Sequence, residues 1–157
     1  MDSGVAVGRV IGRAAQRSVA AVAARDAEAY EGAAVELAAR NPEQVGLVLG
    51  GVVRMLLEEV HPDGLDSDDL QVVLKRCAVD NIGWFPELDP TVLVLLLTAA
   101  LGVHPSEEEA PRVEPAAMAR HAPLLVADLL AVTRRPLADY LDASLAEIFV
   151  VQTNELP

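Results

Sequence analysis

The chain has 157 residues, 52% of them hydrophobic and only 3% aromatic, with a formal net charge of −12. That length suits one domain with a core built from Leu, Val, Ile and Ala, and the apolar content excludes disorder along the whole chain. An acidic surface of this strength repels phosphate backbones, so nucleic acid is not an expected partner.

The first 25 residues differ in charge from the rest. They hold Arg9, Arg13, Arg17 and Arg25 against Asp2, a net of +3, while the remainder carries −15. Val7, Ile11, Ala14 and Val22 share one face at helical spacing, and Arg9, Arg13 and Arg17 step along the opposite face. Residues 5–24 therefore read as a basic amphipathic helix or arm, and 1–25 is set apart from an acidic helical domain at 26–151. Gly4, Gly8 and Gly12 repeat at intervals of four, as do Gly46 and Gly50. Each glycine costs a helix about 1 kcal/mol against Ala. The stripe thus suggests a close helix crossing, and self-association through Gly8, Gly12, Arg9, Arg13 and Arg17 is one expectation.

Helical periodicity continues over 26–40 with Tyr30, Ala34 and Leu37 on one side. Asn41-Pro42 predicts a capped helix start, and that helix is expected to run to about Val60, where His61-Pro62-Asp63-Gly64 stops it. Asp66 predicts the next N-cap, with Asp68 and Asp69 favourable beside the helix dipole. In that helix Leu70, Val73, Leu74 and Cys77 fall at i, i+3, i+4 and i+7, which turns Cys77 to the core. A connection containing Trp84 and Phe85 follows.

Asp89-Pro90 predicts a helix over about 90–101 that is apolar nearly all round and expected at the centre of the fold. Residues 104–115 are rich in Pro and Glu and predict an exposed loop. The following helix holds Pro123, so it is expected to begin or kink there. A last helix starts at Pro136, and residues 152–157 form a fraying tail. The expected architecture is an all-α, compact bundle of five to seven helices.

Three groups of residues are candidates for function. His61 and His104 end predicted helices before proline and suit C-terminal capping; a metal or hydrolytic site of Glu58, His61 and Asp63, with His104, is the alternative reading. Glu58, Glu59, Asp63, Asp66, Asp68 and Asp69 form an acidic turn that could face a basic partner, with Trp84 and Phe85 as contact aromatics. The acidic spacing does not match a calcium loop, and the chain has no phosphate loop, nucleophile elbow or dinucleotide fingerprint. With one cysteine, Cys77, no intrachain disulfide forms, and a cytoplasmic setting is the simplest expectation. No cofactor is implied. The sequence reading is a non-enzymatic interaction domain, of adaptor, inhibitor or immunity type, whose partner is a protein with a basic surface or a second copy. A membrane is not an expected target, because the longest apolar run falls short of a span.

Overall fold

A computed structural model describes residues 3–103 and 113–155, with side chains over 6–103 and 113–150. Seven helices form an all-α bundle, and no strand occurs among the described residues. In chain order they are α1 (Ser3–Ala24), α2 (Ala27–Ala38), α3 (Pro42–Val60), α4 (Ser67–Asn81), α5 (Pro90–Ala100), α6 (Pro115–Leu130) and α7 (Leu137–Glu155).

The helices begin where short polar side chains meet free amides. Asp26 accepts from Ala29 N–H, Asn41 from Gln44 N–H and Asp89 from Thr91 N–H. Asp66 and Asp69 satisfy one another's backbone amides at 2.9 and 3.0 Å, a reciprocal cap at the start of α4. Pro42, Pro90 and Pro115 sit at first positions, where a missing N–H costs nothing.

Between α1 and α2 the chain turns without a glycine. Arg25 takes φ 54°, and Asp26 N–H bonds to Ala21 C=O while Arg25 N–H bonds to Val22 C=O. This is the paired 6→1 and 5→2 closure of a helix C-terminus. The turn folds α2 back onto α1 and makes them two helices. α1 lies within the bundle: Ile11, Ala14, Ala15, Ser18, Ala21 and Val22 are buried, while Arg9, Arg13 and Arg17 face solvent.

The centre of the bundle is α6, not the apolar helix expected there. α6 packs against α1, α2, α3, α4 and α5, and His121 to Val126 are buried without interruption. α5 buries Val92, Leu93, Leu97 and Ala100 against α3, α4 and α6, but Val94 is 40% exposed and Ala99 is also exposed. Its apolar sequence thus covers the side of the bundle. α6 runs on through Pro123, two residues past the buried His121. Pro123 has no N–H for the Ala119 carbonyl. One contact from outside and one within α6 brace this turn: Tyr30 of α2 donates its hydroxyl to Arg120 C=O, and His121 Nδ1 lies 2.7 Å from Ala117 C=O one turn earlier.

α7 packs on α3 and α1, and small residues set how closely. A methyl placed on Gly51 would stand 2.4 Å from Ser144 Oγ, which itself donates to Val48 C=O at 2.8 Å. Gly51 therefore lets α3 and α7 approach until a side chain of one reaches the backbone of the other.

Candidate functional site

The described surface is indented by a groove of about 930 Å³. The first half of α3 forms its floor. Leu96, Ala99 and Ala100 of α5, Met118, Ala119 and Ala122 of α6, and Ile148 of α7 form its walls. Charge is limited to Arg40, Glu43 and Glu147. Glu147 is engaged by Arg54, which also pairs with Glu58 one turn away. The hydroxyl of Ser144 is committed to Val48 C=O.

The floor is bare in one specific place. Gly46 and Gly50 lie one turn apart within α3, and nothing stands within 4 Å of a methyl built on either. Two mid-helix glycines cost α3 about 2 kcal/mol against alanine. No internal packing requires them, in contrast to Gly51. The result is a strip of uncovered helix backbone at the bottom of an apolar trough, beside the half-exposed Leu47.

Four of the six carboxylates of the acidic turn have partners within the fold. Asp66 and Asp69 are consumed by the α4 cap. Glu59 accepts from the Tyr140 hydroxyl and lies 3.5 Å from Arg135, and Glu58 pairs with Arg54. Asp63 and Asp68 remain exposed on the surface. His61 closes α3, with its N–H on Leu57 C=O and Nδ1 3.1 Å from the same oxygen. Among the described residues no three His, Cys, Asp or Glu side chains converge into a metal cluster, and Glu58, His61 and Asp63 are not brought together as one. His104 lies outside the described residues.

Trp84 and Phe85 stand with Tyr30 and His121 in one aromatic cluster. Tyr30 meets Trp84 edge-on at 5.3 Å and Phe85 at 5.5 Å, and Phe85 meets His121 at 5.5 Å. Phe85 is buried, and the Arg120 guanidinium lies 5.5 Å from its ring centre. Trp84 is half-buried and donates Nε1–H to Asn81 Oδ1 at 2.8 Å. The pair joins the 82–89 connection to α2 and α6.

Cys77 is fully buried beside this cluster, and burial pushes its thiol up to about 12. It remains protonated at neutral pH, which suits packing and not nucleophilic attack. His121 is also buried, 4% exposed, and its bonds fix its protonation. Asp89 N–H donates to Nε2 at 2.9 Å, so Nε2 carries no proton; Nδ1 therefore carries it and donates to Ala117 C=O. Burial draws its pKa below 6.5; the Ala117 bond and the Asp89 charge oppose this shift and Arg120 adds to it.

Of the glycines marked for self-association, Gly8 packs inside the chain against Leu145. Gly12 is buried on α1 with nothing within 4 Å of an added methyl. Arg17 pairs with Glu36 of α2, while Arg9 and Arg13 are exposed. The groove itself escaped sequence reading, although its floor was signalled by the unexplained Gly46 and Gly50. No helix among the described residues is long and apolar enough to cross a membrane. Comparison of the chain with known protein families, curated proteins and solved structures finds no match.

Proposed function

We propose that this chain is a non-enzymatic interaction domain that takes the apolar face of a basic amphipathic helix from a partner protein into the α3–α5–α6–α7 groove. The observation that carries the reading is the bare backbone at Gly46 and Gly50 beneath apolar walls. Helices approach one another most closely over small residues one turn apart, and an amphipathic helix lays its apolar side chains along such a trough. The chain's net charge of −12 selects a basic partner and speeds its arrival. Glu43 at the rim supplies a local acidic contact, which Arg40 partly offsets. The histidines support a structural use of ionisable groups, since His61 and His121 are each tied to backbone atoms. The single buried thiol of Cys77 suits a reducing compartment such as the cytoplasm.

The test uses a helical peptide of leucine and lysine, with the leucines at i, i+3, i+4 and i+7, and a scrambled peptide of the same composition. Calorimetric titration should show the patterned peptide binding the intact chain, and Gly50→Leu should weaken it by about tenfold or more by filling the trough. Space beside Gly50 lets that variant keep its fold, which a circular dichroism melt verifies. Equal binding of the scrambled peptide, or binding indifferent to Gly50→Leu, would defeat the reading.

A further inference from the structure

We infer that His121 and Asp89 form a proton-operated latch on the first turn of α5, closed while the imidazole is neutral and released when Nε2 takes a proton. The hydrogen bonds define two distinct states. In the closed state Asp89 N–H donates to Nε2 across 32 residues of chain, and the Asp89 carboxylate caps α5 through Thr91 N–H at 3.0 Å. Val92 and Leu93 N–H both donate to Asp89 C=O, so one residue anchors the whole first turn.

A proton from solvent that adds to the Nε2 lone pair removes the acceptor from Asp89 N–H. It also sets an N–H donor against that amide. The Asp89 carboxylate, two bonds of its own side chain away, is the nearby group able to accept from the new donor. To do so it must leave Thr91. Protonation thus exchanges an α5 cap for an imidazolium–carboxylate pair. No electron moves, and deprotonation restores the closed state.

The surroundings fit a switch. From the α5 side the ring faces the Asp89 carboxylate. From α6 it neighbours Arg120, whose charge is shared with Glu31 of α2 at 2.5 Å. Besides the Asp89 amide, the 82–89 connection brings the Phe85 ring to it at 5.5 Å, and that ring in turn meets Tyr30, whose hydroxyl is neutral. Burial holds the ring neutral at pH 7, while Asp89 is exposed and offers protons a route to it. Pro123 leaves the adjoining turn of α6 with one backbone bond fewer.

The latch also bears on the groove, a consequence that rests on the binding role proposed above. α5 and α6 each supply one wall, so a loosened α5 start alters the seam between them. The latch itself is independent of any partner, so either idea can fail alone.

The experiment follows the free, full chain by nuclear magnetic resonance from pH 7.5 downward. It records the His121 ring nitrogens together with exchange protection factors at Thr91, Val92 and Leu93. Protection at these three amides should fall about tenfold as His121 titrates, while core amides of α3 hold theirs. His121→Gln retains an acceptor for Asp89 N–H and cannot titrate, so its α5 protection should stay level with pH. Should that variant not fold, Asp89→Asn gives the second readout: it removes the carboxylate, and the His121 midpoint should move down. Two results would overturn the latch: a His121 ring neutral until cooperative unfolding, or one that protonates while α5 protection is unchanged.

Discussion

Gly8 of α1 lies directly beneath Leu145 of α7, so close that a methyl on Gly8 would stand 2.8 Å from Leu145 Cδ2. Three glycines of the bundle form a graded series around this contact. At Gly12 an added methyl meets nothing within 4 Å, so Gly12→Ala should stabilise the fold by about 1 kcal/mol through helix propensity alone. At Gly8 the obstacle is the end of a flexible side chain, and the propensity gain and the displacement of Leu145 should roughly cancel. At Gly51 the methyl meets Ser144 Oγ at 2.4 Å and Ser144 Cβ at 3.3 Å, with the hydroxyl already bound to Val48 C=O. Gly51→Ala should therefore cost about 2 kcal/mol. Denaturant titration of the three variants reads the order directly, and a destabilised Gly12→Ala would show that α1 carries a contact outside this fold.

Arg25 occupies the left-handed position that ends α1, at φ 54°. A side chain there costs about 1 kcal/mol relative to glycine. Arg25 has no ion pair that would compensate among the described contacts, and its side chain is exposed. Arg25→Gly should raise stability by about 1 kcal/mol. Arg25→Val, which places a branched side chain at the same φ, should lower it. A pair of thermal melts separates these outcomes, and the opposite order would mean that the Arg25 side chain holds the α1–α2 turn.

Local signals were legible in the sequence, and relationships between distant residues were not. Asn41-Pro42, Asp66 and Asp89-Pro90 cap α3, α4 and α5 because capping involves atoms only two or three residues apart. The α1–α2 break gave a weaker signal, since Arg25 fills a site usually marked by glycine. The place of α5 was misjudged for a physical reason. A helix apolar all round can be central, but burial depends on how many neighbours enclose it, and α6, with Arg120, His121 and Asp128 along it, has more. His121 carried no signal at all, because its meaning depends on an amide 32 residues earlier. In sequence, Trp84 and Phe85 suit a plug at the core edge better than a contact surface, without excluding the latter. The aromatic cluster with Tyr30 distinguishes the two uses only in three dimensions.

Arg76 of α4 grips Asp128 of α6 with two nitrogens: Nε lies 3.0 and 3.1 Å from the two carboxylate oxygens, and Nη2 lies 2.8 Å from one of them. The partners are unequally placed, for the Asp128 side chain is 4% exposed and that of Arg76 36%. Removing the arginine strands a buried carboxylate, whereas removing the carboxylate's charge leaves an arginine that reaches water. Arg76→Ala should cost about 2–3 kcal/mol at neutral pH, and Asp128→Asn about 1 kcal/mol, since the amide oxygen still accepts from Nε. The double variant should recover part of the Arg76→Ala loss, and a double-mutant cycle by urea titration measures that coupling. Additive losses would show that the fork contributes no more than its packing.

His121 makes the fold's stability depend on pH in a definite direction. Its folded pKa lies below the 6.5 of a free imidazole, principally because it is buried. The unfolded chain therefore binds the proton more readily than the folded one. The contribution is fully present above pH 6.5, declines as pH falls below that value, and levels off once pH passes the folded pKa. Between those points a full proton of difference changes stability by about 1.4 kcal/mol per pH unit, the upper limit for this residue. His121→Gln cannot take up that proton, so its unfolding free energy should be flatter than that of the unaltered chain between pH 6.5 and 5. Urea titrations at half-unit steps of pH provide the comparison. Parallel curves for the two proteins across pH 6.5 to 5 would mean that His121 gains its proton as easily folded as unfolded, and would contradict the neutral ring fixed by Asp89 and Ala117.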